Sequence, residues 1–200
     1  MGRKAIDRPR KKLTPKMKSW ARDLIPILQN RDIEALTLDE ISELTGKSKS
    51  TIYVYFSSKE EIYTAGVELI LGEMAQAVSL EVLAAEDMEQ SLREMLTGIG
   101  KGIDGISIRF LEQIKLHFPE TWKVIEAFTD EVLHILELIY KKGMEMGSFK
   151  KFNISLLTTL DRHFVLNIMT NNDAFCEQGL SLNALVTEYL ELRLSALRKA

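Results

Sequence analysis

The sequence predicts an all-α protein of about nine helices, with a three-helix helix-turn-helix unit at the N-terminus and a larger helical domain behind it. Three observations carry that prediction. Apolar residues recur at three- and four-residue spacings along most of the chain. Proline is scarce, at 4 in 200 residues, so few helices are interrupted. Strand-like alternation of apolar and polar residues is nearly absent, and so are internal repeats and low-complexity linkers.

The elements follow in order. Thr14-Pro15 opens the first helix, a capping hydroxyl followed by proline at the first helical position. Trp20, Leu24, Ile27 and Leu28 then form its apolar face, and Pro26 must kink or shorten it. Thr37-Leu38-Asp39-Glu40 is a capping box for a second helix whose Ile41 and Leu44 face inward. Gly46 closes that helix, since glycine takes the left-handed conformation freely. Ser48 caps a short third helix carrying Ile52, Tyr53, Tyr55 and Phe56. Ser58-Lys59-Glu60-Glu61 is another capping box, opening a long helix through Ile62, Ala65, Leu69 and Ile70. Further helices are predicted at about 87–102, 104–117, 119–147, 153–173 and 181–199, with Asn153 and Ser181 as caps and Gly143 and Gly147 near the end of one.

Composition excludes several classes. No window approaches the roughly 18 apolar residues that a membrane span needs, so no membrane partner is expected. The basic N-terminus lacks the apolar core of a secretory signal. Met1-Gly2 is not a myristoylation site, because Ile6 stands where a hydroxyl residue belongs. The single cysteine, Cys176, fits a reducing cytoplasm and reads as an inert buried thiol. The net charge of −3 hides an asymmetry: residues 1–61 hold 13 Lys/Arg against 9 Asp/Glu, and residues 62–200 hold 13 against 20. A basic head on an acidic body suggests that only the head meets a polyanion. Arg3, Lys4, Arg8, Arg10, Lys11, Lys12, Lys16 and Lys18 are opposed there by Asp7 alone.

Residues 37–56, TLDEISELTGKSKSTIYVYF, have the spacing of a helix-turn-helix. The second helix must be short and polar at its leading end. Ser48, Lys49, Ser50 and Thr51 supply hydroxyls and an ammonium suited to phosphate oxygens. From Trp20 to Leu69 the sequence resembles the DNA-binding domain of the tetracycline-repressor (TetR) family. The match runs through Thr37-Leu38-Asp39-Glu40-Ile41, Gly46, Ser48 to Phe56, and Ser58-Lys59-Glu60. An aromatic-x-aromatic-Phe run leading into Ser-Lys-Glu separates that family from other helix-turn-helix proteins.

The resemblance implies a DNA-binding repressor rather than an enzyme, with residues 1–61 as basic arm and DNA-binding domain and 62–200 as effector-binding and dimerisation domain. Ser48, Lys49, Ser50, Tyr53 and Tyr55 would lie on the groove-facing side. Lys59 would sit against the phosphate backbone, and Ile52 and Phe56 in the core. Thr37 and Thr51 complete the DNA-binding set. By spacing alone Tyr53 and Phe56 could equally form one core stripe. Three residues depart from the family pattern: Asp32 where a glycine usually ends the first helix, Pro26 within that helix, and Lys47 in the turn.

Two signals are set aside. Gly100-Lys101-Gly102-Ile103-Asp104-Gly105 matches a dinucleotide-binding pattern, but no strand precedes it, so it is a corner between helices. His117, His134 and His163 fall on different helices without metal-ligand spacing. No metal, cofactor or nucleophilic constellation is expected.

The last two helices carry more apolar surface than one side needs, so a homodimeric four-helix bundle is expected around Leu157, Phe164, Leu185 and Tyr189. The alternative is that both helices are used up within one chain. The middle helices would hold a small-molecule effector, with Met95, Ile99, Phe110, Gln113, His117, Trp122 and His163 as candidate contacts. A DNA-binding protein without an effector would instead have a tightly packed middle.

Overall fold

Thr14 opens α1 (Pro15–Leu28), its hydroxyl accepting the Met17 N–H at 3.3 Å. This computed structural model describes residues 10–170, 179 and 181–198. Met1-Gly2, Arg3, Lys4, Asp7, Arg8 and Cys176 lie outside the described residues, as do 171–173 and 199 of the predicted helices. Pro26 shortens α1, which ends two residues later. The buried face of α1 is Met17, Ala21, Leu24, Ile25 and Leu28, so Ile25 takes the place predicted for Ile27, which is 46% exposed.

The corner after α1 is made by Asp32, whose Oδ1 accepts the N–H groups of Glu34 and Ala35, both at 3.1 Å. A side-chain cap thus replaces the left-handed glycine of the family pattern. The Thr37 capping box then opens α2 (Leu38–Thr45), with the Glu40 N–H on the Thr37 hydroxyl at 3.2 Å and the Thr37 N–H on Glu40 Oε2 at 2.7 Å. The Thr37 N–H first, and then the Thr37 hydroxyl, which donates to the same Oε2 at 2.9 Å, hold the Glu40 carboxyl below its usual range. Ile41 is buried, whereas Leu44, predicted to face inward, is exposed: two turns of helix place only Leu38 and Ile41 over the core. Gly46 (φ 63°) turns the chain into α3 (Lys49–Tyr55).

Ser58 caps α4 (Lys59–Met74), which runs from the head into the body without a break. It crosses α1 so closely that a Cβ on Gly66 would lie 2.7 Å from the Ala21 carbonyl oxygen. The body continues with a 3-10 turn (Leu80–Ala84), which the sequence pattern did not indicate, then α5 (Met88–Gly102), α6 (Ile108–His117), α7 (Pro119–Met146), α8 (Ile154–Thr170) and α9 (Leu182–Leu197). Among the described residues there is no strand beyond one isolated bridge, Phe149 with Arg198. The glycine-rich stretch therefore ends α5 and forms the corner to α6, with Gly105 at φ 77°. Two of its glycines let helices touch: a Cβ on Gly102 would strike Met74 of α4 at 2.1 Å, and one on Gly100 would meet Asn183 of α9 at 2.9 Å. One apolar cluster joins α1–α4 to α6, the start of α7 and the first turn of α9, and a second fills the body between α5, α7 and α9.

Candidate functional site

The short helix α3 is held from below and left open above. Ile52 and Phe56 are buried against α1, where the Trp20 and Phe56 rings lie 6.0 Å apart. Ser48, Lys49, Ser50 and Thr51 are exposed, Tyr53 is 45% exposed and Tyr55 is half-buried against the core. The Ser48 hydroxyl caps the Thr51 N–H at 3.3 Å and lies within 3.0 Å of the Ser50 hydroxyl. The Lys49 ammonium is paired with Asp39 of α2. Lys47 lies 5.3 Å above the Trp20 ring, stiffening the turn.

Sequence reasoning missed how the basic arm meets this helix. The Arg10 guanidinium donates to the Tyr53 carbonyl, and the Lys11 N–H donates to the Val54 carbonyl at 3.0 Å. Arg10, Lys11 and Lys12, all exposed, are therefore fixed beside the end of α3. No local signal marks such a pairing, because its partners are backbone carbonyls 43 residues away.

Lys59 is placed differently from the implied phosphate contact. Its ammonium donates to the carbonyls of Glu34 and of Ile33, the latter at 3.3 Å, and lies 6.0 Å over the Phe118 ring. It ties the α1–α2 corner to the body.

Three candidate effector contacts also act at this junction or on the surface. Gln113 Oε1 accepts the Ile33 N–H at 2.8 Å, and its Nε2 donates to the Arg31 carbonyl at 3.0 Å. His117 Nδ1 lies 3.4 Å from Glu34 Oε2. At the start of α6, the Ser107 N–H donates to Gln29 Oε1 at 2.8 Å. One side of α6 thus clamps residues 29–34 of the head. His163 faces outward, with Nδ1 2.8 Å from the Thr159 carbonyl.

The opposite side of α6 faces a cavity of about 160 Å³. Its wall is apolar almost throughout, drawn from α4 to α9 and from Ile25 of α1. Phe110 and Ile99 line it; Met95 and Trp122 are packed in the core elsewhere. The polar exceptions are Thr129 of α7, whose hydroxyl donates to the Ile125 carbonyl at 2.9 Å, and Asp161 of α8, 1% exposed. Tyr140 donates to its Oδ2 at 2.9 Å, Tyr189 donates to Oδ1, and Arg193 Nε lies 2.8 Å from Oδ1. Burial, then the Asp161 charge, pushes the Tyr140 phenol far above the ordinary tyrosine range.

The residues predicted for a dimer interface divide. Phe164 and Tyr189 turn inward, stacked at 3.6 Å and lining the cavity; Leu185 is buried in the core and Leu157 is half-buried. The outward faces of α8 and α9 instead expose Leu156, Leu160 and Leu192. The apolar stripe was visible in sequence, but its division between two sides was not. Among the described residues no group of His, Cys, Asp or Glu is placed to hold a metal, and no helix is long and apolar enough to cross a membrane.

Residues 27–65 match the family described as bacterial regulatory proteins, tetR family. The curated relatives include an uncharacterized helix-turn-helix transcriptional regulator, YvaF, of Bacillus subtilis, 23% identical over 61% of this chain and 65% of its own length. Another is the transcriptional repressor NicS of Pseudomonas putida, 28% identical over 56% of each chain. The chain thus matches less than two thirds of the length of either relative. Among solved structures, the TetR family regulator PfmR of Thermus thermophilus superposes with a TM-score of 0.67 at 21% identity, covering 90% of this chain and 99% of that one. The regulator FadR of Bacillus subtilis, solved with stearoyl-CoA, superposes at 0.63 with 18% identity, covering 92% and 98%. These likenesses are to regulators, not enzymes. Residues 27–65 thus carry the N-terminal domain of the tetR family of bacterial regulatory proteins, and the chain as a whole shares the fold of regulators of that family.

Proposed function

We propose that the protein is a cytoplasmic, homodimeric transcriptional repressor that binds a near-palindromic operator and leaves it when a small molecule fills the cavity. The observation that carries this is the outward polar face of α3, with Ser48, Lys49, Ser50 and Tyr53 exposed beside Arg10–Lys12. Residues 1–61 act as the DNA-binding part and 62–200 as the effector-binding and dimerising part. Thr37, Thr51 and Tyr55 flank the contact surface, while Lys59 steadies the head rather than reaching a phosphate first.

Leu156, Leu160 and Leu192 support pairing of α8 and α9 with a second copy, because such leucines gain by leaving water. The cavity favours an effector over a constitutive DNA-binding protein, whose middle would be filled. The stearoyl-CoA seen with FadR supports an apolar chain as ligand. Coupling runs through α6, which faces the cavity with Phe110 and grips residues 29–34 with Gln113 and Ser107. A ligand that prefers one placement of α6 shifts the population of head orientations, with a coupling of about 1–3 kcal/mol.

The test is fluorescence anisotropy at low ionic strength with duplex DNA from beside the gene. Lys49→Ala/Tyr53→Ala should lose most binding with an unchanged helical circular dichroism signal. Equal binding by wild type and double variant would overturn the proposal.

A further inference from the structure

The cavity's chemistry narrows what it admits, given the effector-cavity reading above. Its wall offers a ligand one charged station, the Asp161 carboxylate with the Tyr140 and Tyr189 phenols, and besides it only the Thr129 hydroxyl, whose proton is held by the Ile125 carbonyl at 2.9 Å. The side-chain donors of the lining are already engaged. Tyr140 and Tyr189 both donate hydrogen bonds to Asp161, and Arg193, which does not line the cavity, turns its Nε to Asp161 and to the Tyr189 oxygen at 2.7 Å. What remains are acceptors. Asp161 Oδ1 receives two donors among the described residues but Oδ2 receives one, and a carboxylate has about four acceptor sites.

A ligand carboxylate brings no donor to this station and, with Arg193 already neutralised by Asp161, stands as an unpaired ion in an apolar enclosure, which is costly. An ammonium would lose its hydration beside Arg193, whose own charge already balances Asp161. An uncharged hydroxyl satisfies the open acceptor at the least desolvation cost. We infer that the cavity selects an apolar molecule ending in an uncharged hydrogen-bond donor, with Asp161 Oδ2 as acceptor, and discriminates against the carboxylate of the same chain. A long-chain alcohol is the simplest member of that class. The apolar remainder would lie along Phe110, Leu133 and Phe164 toward Ile25.

The experiment compares 1-decanol, its methyl ether and decanoate by calorimetric titration of the full-length protein without DNA. Decanol should bind at least about tenfold more tightly than either, the worth of one buried hydrogen bond. Tyr140→Phe, which frees another Oδ2 acceptor site, should keep that preference, and Asp161→Asn, which adds a donor, should erase it. Asp161→Asn also alters a buried cluster of three partners, so the wild-type comparison stands by itself. Equal affinity for the three ligands would overturn the donor rule and leave the effector cavity intact. Binding of none of them would overturn both.

Discussion

In the proposed complex with DNA, Lys49 must leave Asp39 to meet a phosphate, and that makes Asp39→Ala an informative perturbation. The two side chains are 48% and 59% exposed, so their ion pair is worth only about 0.2–1 kcal/mol. Freeing Lys49 should therefore tighten DNA binding by about 1.4- to 5-fold per protomer, and by about 2- to 30-fold for a dimer engaging two half-sites. Lys49→Ala should act in the opposite direction and flatten the slope of log K against log salt by about 0.9 per protomer. In Lys49→Ala/Asp39→Ala the gain from losing Asp39 should shrink, because its partner is gone. The assay is fluorescence anisotropy on one duplex across a salt series. Weaker binding by Asp39→Ala, or the same gain with and without Lys49, would refute the idea that this pair restrains the DNA-binding lysine.

Gly66→Ala should lower stability by about 1–3 kcal/mol, because the new methyl lies 2.7 Å and 2.9 Å from backbone atoms of Ala21 that cannot swing away. Calorimetry should show a fall in Tm of roughly 2–12 °C, and a rise would contradict the close α1–α4 crossing. Tyr63, Tyr140 and Tyr189 hold their phenolic protons more tightly folded than unfolded, first of all through burial. Their contribution is complete below the unfolded value of about 10 and is lost as pH rises past it. Spectrophotometric titration should therefore find these three phenols ionising only on unfolding. Leu192→Glu should turn the proposed dimer into a monomer in sedimentation while leaving the helical signal intact, since Leu192 is 69% exposed in the single chain.

Much of the head was legible because its determinants are local. Thr14, Thr37, Ser48, Ser58 and Gly46 act on backbone groups within a few residues, and each stands where its helix begins or ends. The body was legible as helices but not as sides. Gln113 and His117 share α6 with Phe110, yet they grip the head while Phe110 faces the cavity, and only tertiary packing decides which stripe meets which neighbour. Phe164 and Tyr189 likewise read as surplus apolar surface but stack inward around Asp161, a carboxylate that no spacing rule singled out. The glycines at 100–105 matched a dinucleotide-binding pattern because close helix packing also demands a missing side chain: a Cβ on Gly102 would lie 2.1 Å from Met74.

The most direct measurement is selection of bound sequences from a random duplex pool by the full-length protein. The proposed assembly, two copies each presenting α3 outward, should enrich a near-palindrome whose half-sites are centred about 34–36 Å apart, one helical turn. Recovery of no preferred sequence, or of a lone half-site without its mate, would contradict it.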